Sequence, residues 1–202
     1  MKQIYGEILS EVSNENQEEI ATILEQTEKL DFLIQSLVKL SRMESGIIAV
    51  HSEDTTIKQM LESIQQQFNV KVREKNITLS LCDTDLHVRC DSKWTVEALG
   101  NIVDNAIKYT ACGGNVQIKV EQYSFFVKID IIDDGIGIEK EEIPKIFGRF
   151  YRSLSVADQP GVGIGLFLAR EIIQAQKGYI KVTSKRGKGS TFSVFLPIAK
   201  KE

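Results

Sequence analysis

Apolar residues recur at Ile20, Ile23, Leu30, Ile34 and Leu37, with Leu24, Leu33 and Val38 widening the stripe. Spacings of three and four place side chains on one face of a helix, so a long amphipathic helix is predicted to run to about Met43. A shorter stripe, Ile4, Ile8 and Val12, precedes it, and SNEN at 13–16 has turn and N-cap chemistry. Residues 1–45 contain no proline, and their only glycine is Gly6. The reading is a helical hairpin with one short arm. Its stripes have little core of their own, so the hairpin must pack on something, a second copy or the chain that follows. Gly46 is the expected C-cap and the domain boundary.

Beyond Gly46 the pattern changes. IIAVHS (47–52), ITLSLC (77–82), HVRC (87–90), NVQIKVEQY (115–123), FFVKIDII (125–132), YIKVTS (179–184) and TFSVFLP (191–197) alternate or run apolar as strands do. TTIKQMLESIQQQF (55–68) and segments near 92–110 and 164–176 have helical spacing. Strands that follow one another directly favour antiparallel hairpins over a doubly wound parallel sheet. The predicted architecture of 46–202 is α+β, a layer of helices on one face of a mixed sheet.

Composition narrows the function. Apolar residues at 42% and charged residues at 26% describe a chain that folds. A formal charge of −3, with the basic residues scattered, gives no field for nucleic acid or anionic lipid. No apolar run approaches the ~18 residues of a membrane span, and the start of the chain is not a signal peptide. Cys82, Cys90 and Cys112 lack the spacing of a zinc or redox motif and are read as three buried thiols of a reducing cytosol.

Candidate chemistry begins on the helix opened by Asp91. With successive residues about 100° apart, Val96, Leu99, Ile102, Val103, Ala106 and Ile107 share a broad apolar face. Glu97, Asn101, Asp104, Asn105 and Lys108 gather on a polar stripe opposite. Asparagine is a mediocre helix former, so two of them one turn apart suit a solvated face poorly. Their amide oxygens are neutral hard ligands, suited to a magnesium ion already bound to phosphates. Further on, IDIIDDGIGI ends a strand in Asp133, which can accept a hydrogen bond from an exocyclic amine, while Gly135 and Gly137 let a flat ring approach the backbone. Gly161, Gly163 and Gly165 stand immediately before a helix, where backbone amides favour anions. Gly187 and Gly189 in RGKGSTF look like a hairpin turn.

In order, NIVDNAIKYT, DDGIGI, IFGRFYR, GVGIGL and GKGSTF resemble the N, G1, F, G2 and G3 boxes of sensor histidine kinases. The resemblance covers about residues 47–198 as the catalytic domain, and 1–45 resembles most of the dimerisation domain. It implies the two-layer α/β sandwich called the Bergerat fold, with ATP and Mg2+ as cofactors. By resemblance Asn105 would coordinate the metal, Asn101 would support metal or phosphates, and Lys108 would neutralise phosphate charge. Tyr109 would lie beside the nucleotide, Asp133 would bind the adenine amine between Gly135 and Gly137, Gly163 and Gly165 would line the phosphates, and Ser190 would assist at the base. Residues 138–160 would form a mobile lid, packed by Phe147 and Phe150, with Arg149 and Arg152 reaching the phosphates; plain core packing is as good a reading of both phenylalanines.

The implied reaction passes the γ-phosphoryl group of ATP to a histidine on the first long helix and then to an aspartate of a response regulator receiver domain. Only His51 and His87 are present, both outside the expected histidine box and both read as surface or structural residues. MKQIYGEIL resembles the helix just after that box, so the sequence is expected to start downstream of the acceptor. The fuller protein would be a homodimer through its hairpin and cytoplasmic here, with any membrane anchor elsewhere. The alternatives are a Bergerat ATPase, which would want a glutamate where Asn101 stands, and a nucleotide-binding dimerisation module without kinase activity.

Overall fold

In a computed structural model the described residues are 14–44, 50–153, 156, 159 and 161–198. The chain divides into two compact units, Met1–Ile47 and Ile48–Glu202. Of the first unit, the described part is one helix, α1 (Asn14–Glu44). Its stripe is open: Ile23 is 63% exposed, Leu30 56%, Ile34 49% and Leu37 47%. The shorter arm with Ile4, Ile8 and Val12, and the cap at Gly46, lie outside the described residues.

The second unit runs β1 (Glu53–Thr56), α2 (Ile57–Glu74), β2 (Thr78–Leu81), β3 (His87–Cys90), α3 (Ser92–Tyr109), β4 (Asn115–Gln122), β5 (Phe126–Asp133), α4 (Gly165–Ala175), β6 (Tyr179–Ser184) and β7 (Ser190–Pro197). Five strands form one sheet in the order β2-β4-β5-β7-β6, with β2 parallel to β4 and every other pair antiparallel. Alternation does what period two requires. In β7, Ser190, Phe192, Val194 and Leu196 point inward, and Val127, Ile129 and Ile131 do so in β5. Against that face lie Ile57, Met60, Ile64 and Phe68 of α2, Leu99, Ile102 and Val103 of α3, and Leu168, Ile172 and Ile173 of α4, all buried. Each such side chain contributes roughly 1.5–3 kcal/mol of burial. The opposite face carries the stacked rings of Tyr179 and Phe195 and the Lys128 pairs with Glu121 and Asp130. The unit is the expected two-layer α/β sandwich.

Three expectations are corrected. The strand foreseen at 47–52 is absent from its described residues, Val50, His51 and Ser52; the strand is β1, which pairs antiparallel with β3 in a separate two-stranded sheet. β1 is polar because it borders the core at Thr55 alone of its positions. The helix foreseen to Phe68 continues to Glu74 although NVKV alternates like a strand. Val70 stays 66% exposed, and the helix closes where Val72 O accepts from Ile77 N (2.9 Å) and Asn76 takes a left-handed φ of 52°. Only Cys90 of the three cysteines is buried; Cys82 is half-buried, and Cys112 is exposed in the turn between α3 and β4.

Candidate nucleotide site

α3 supplies one wall. Its first turn is capped as the sequence suggests: Asp91 Oδ1 accepts from Trp94 N at 3.2 Å. The polar stripe divides. Asp104 turns to α2, where Lys71 Nζ lies 2.5 Å from its carboxylate. Asn101 turns to the glycines before α4: its Nδ2 donates to Glu97 O (3.0 Å), and its Oδ1 would lie 3.1 Å from a Cβ at Gly165. Lys108 Nζ would lie 3.0 Å from a Cβ at Gly161. The boxes N and G2, far apart in sequence, therefore meet.

Lys108 Nζ also sits 4.8 Å from the centroid of the Tyr109 ring. Burial, and then the nearby Arg152 charge, hold the Lys108 ammonium below its usual pKa range, a cation poorly solvated and receptive to an anion. Burial likewise pushes the Tyr109 phenol up. Asn105 is half-buried, and among the described residues no group bonds its amide. α4 begins at Gly165 without a side-chain cap, leaving first-turn amides unclaimed by one.

The floor is Asp133, only 7% exposed at the end of β5. Its Oδ1 accepts from Gly135 N (3.0 Å) and Ser190 N (3.2 Å), while among the described residues nothing donates to Oδ2. Burial raises the Asp133 pKa, against the lowering effect of those two bonds. Its neighbour moves the other way: Asn115 donates from N (2.9 Å) and Nδ2 (2.8 Å) to the Asp134 carboxylate, which lowers its pKa. Ser190 thus acts on Asp133 through its amide, while its hydroxyl pairs with Ser184 Oγ at 3.0 Å.

Backbone fills the space where other side chains would stand. Gly137 has φ +65°, and a Cβ there would collide with Lys185 O. At Gly189, φ is +84° and a Cβ would run into the Asp133 carbonyl. Gly189 belongs to the site for that reason, although a hairpin turn was all its local sequence suggested. A Cβ at Gly135 would stand 2.5 Å from Tyr109 O, and one at Gly163 2.5 Å from Tyr151 O.

The segment 138–153 lies beside this wall. Arg152 Nη2 donates to Val156 O (3.0 Å) and to Gln159 O. The Arg149 guanidinium lies 4.7 Å from the centroid of Phe167 on α4, and that of Arg170 lies 5.6 Å from both Phe147 and Phe167. Phe147 is half-buried in this stack, whereas Phe150, at φ 60°, is 53% exposed and is no core residue. His51 and His87 lie elsewhere. His51 is exposed ahead of β1 with its amide on Asp91 Oδ2, and His87 Nδ1 is 2.6 Å from Asp54 Oδ1.

Residues 90–200 match the family model described as "Histidine kinase-, DNA gyrase B-, and HSP90-like ATPase". Sensor histidine kinase WalK of Bacillus subtilis is 33% identical over 202 aligned positions, which cover 96% of this chain and 33% of WalK. The chain thus spans about a third of the length of that relative. Among solved structures, the Acinetobacter baumannii histidine kinase AdeS is 26% identical with a TM-score of 0.72, covering 90% of this chain and 84% of that one. Histidine kinase ThkA, solved in complex with response regulator protein TrrA, shares the fold at 22% identity and a TM-score of 0.76, covering 93% of this chain and 53% of that one. The chain belongs to the histidine kinase-, DNA gyrase B- and HSP90-like ATPases and carries an ATP-binding domain of the sensor histidine kinase type.

Proposed function

We propose that residues 46–202 bind ATP with magnesium and donate its γ-phosphoryl group to a histidine presented by a helix, for relay to an aspartate of a response regulator receiver domain. The observation that carries this reading is the buried Asp133 carboxylate, fixed through Oδ1 by two backbone amides with Oδ2 left for a donor. An adenine offers such a donor in its exocyclic amine, and Gly135 and Gly137 keep the approach flat.

From that floor the phosphates would run between α3 and the start of α4. Lys108 and the amides at Gly163 and Gly165 would meet them there, and Asn101 would hold its wall against Gly165. Tyr109 would lie along the nucleotide, and Arg149 and Arg152 would approach from the segment that follows Ile138. Asn105 fits the metal, because its amide oxygen is a neutral hard ligand with no competing bond among the described residues. Bound there, magnesium would neutralise charge on the phosphates; the protein's part is to position and to stabilise charge. The histidine nitrogen forms the new bond to the γ-phosphorus, the bond to the bridging oxygen breaks, and ADP leaves.

Residues 1–45 would act as part of a dimerisation hairpin, joining two copies through Ile20, Ile23, Leu30, Ile34 and Leu37. No described helix is long and apolar enough to cross a membrane. A cytoplasmic setting fits the reaction, since ATP and response regulators are found there. Calorimetric titration with ATP tests the nucleotide reading: saturable 1:1 binding that strengthens with magnesium is expected, and no binding in either condition refutes it.

A further inference from the structure

α3 ends at Tyr109, and the last carbonyls of a helix have no partner within it. Here one side chain from another helix collects them. Lys75, at the C-cap of α2, donates from Nζ to Ile107 O (2.9 Å), Lys108 O (2.7 Å) and Thr110 O (2.7 Å). An ammonium has three protons, and all three are spent. Lys75 is itself held by its main chain: its amide donates to Lys71 O and its carbonyl accepts from Gly113 N, each at 3.1 Å. A cation at this place also balances the negative end of the helix dipole.

The one carbonyl of the run 107–110 that Lys75 leaves out is Tyr109 O, and it accepts from Ile136 N (3.2 Å) in the turn after Asp133. Two devices therefore share the end of α3. The turn that carries Asp133 is seated on Tyr109 and braced separately by Asn115 on Asp134. The backbone from which the Lys108 side chain departs is seated on Lys75.

Resting on the nucleotide reading above, we propose that Lys75 is a positioning residue for phosphate binding: it touches no part of ATP and acts by fixing the backbone of Lys108. Lys75→Met leaves three carbonyls short of a charged donor, and the end of α3 with Lys108 loosens. Charge-assisted bonds of this kind are strong, so affinity for MgATP should fall about tenfold. Adenosine, which depends on Asp133 and does not reach Lys108, should keep its affinity within about twofold. Lys75→Arg keeps the charge, but its planar fork cannot meet three convergent acceptors, so it should recover part of the ATP affinity.

The test is calorimetry of ATP and adenosine on the full chain, its Lys75→Met and Lys75→Arg variants, and Asp133→Asn as a control, all at a temperature well below unfolding. A loss confined to ATP, partly restored by arginine, is expected. If the methionine variant does not fold, the same split in the arginine variant decides. Unchanged ATP affinity, or equal losses for ATP and adenosine, would overturn the role of Lys75 while the Asp133 control still shows its loss. Failure of the wild-type chain to bind ATP at all would remove the nucleotide reading and this proposal with it.

Discussion

Asp133 Oδ1 lies 3.2 Å from the backbone amide of Ser190, 57 positions later in the chain. The bond joins the ends of two neighbouring strands, where Asp133 is paired with Ser190 in the ladder between β5 and β7. It fixes which carboxylate oxygen is spent on the protein and which has no donor among the described residues.

Asp133→Asn should therefore keep the two backbone bonds and put an amide donor where an acceptor is needed. ATP affinity should fall by at least about tenfold, because a buried donor would face the donor of the base. The same change should stabilise the fold at neutral pH. Burial raises the folded pKa of Asp133 above its unfolded value, so the folded state binds the proton more tightly. The resulting penalty is present above the folded pKa and disappears as pH falls through that value to the unfolded one. Thermal unfolding at neutral and acidic pH checks the sign: a gain in Tm for the asparagine variant at neutral pH that shrinks on acidification.

Nucleotide affinity should fall in wild type over the same acidic window, since a protonated Asp133 would no longer be a free acceptor. Titration of ATP affinity against pH measures it, and the asparagine variant should show no such step.

Asn105→Ala should remove the magnesium dependence of binding more than binding itself. Affinities with magnesium and with a chelator should converge in this variant and differ several-fold in wild type. Asn101→Ala, which removes an amide that donates to its own helix and an oxygen that would crowd a Cβ at Gly165, should weaken ATP in both conditions alike.

Gly189→Ala and Gly137→Ala should each destabilise by more than the ~1–3 kcal/mol of a left-handed non-glycine residue, because a backbone carbonyl also occupies the Cβ position. Urea unfolding gives the value. Gly187→Ala, at φ +73° with nothing within 4 Å of its Cβ, should cost only the conformational part.

The stripe of α1 should drive self-association. Leu30→Ser with Ile34→Ser should shift sedimentation toward the monomer, and identical, strictly monomeric behaviour of both proteins would leave these side chains without that role.

Much of the fold could be read from sequence because its elements obey one period each. The Asp91 cap, the apolar face from Leu99 to Ala106 and the alternation of β5 and β7 are local properties. No periodicity connects helix α3 to a loop about sixty positions later, so the approach of Asn101 to Gly165 and of Lys108 to Gly161 is visible only in the structure. What stayed hidden depends on partners chosen in three dimensions. β1 is polar and exists because β3 pairs with it; Lys75 reads as one more surface lysine until three carbonyls surround it. Asp104 shares the polar stripe of α3, and its pairing with Lys71 of α2 is not legible from that stripe.

Phosphoryl transfer is the direct test of the whole account. The chain is incubated with γ-labelled ATP and magnesium, alone and with a helical-hairpin domain that presents a phosphoacceptor histidine. The expected result is acid-labile label on that histidine and none on the chain alone, since neither His51, ahead of β1 with its amide on Asp91, nor His87, in β3 beside Asp54, stands on a helix. Label on the chain itself that disappears in His51→Ala or His87→Ala, or no transfer to an acceptor histidine although ATP binds, would contradict it.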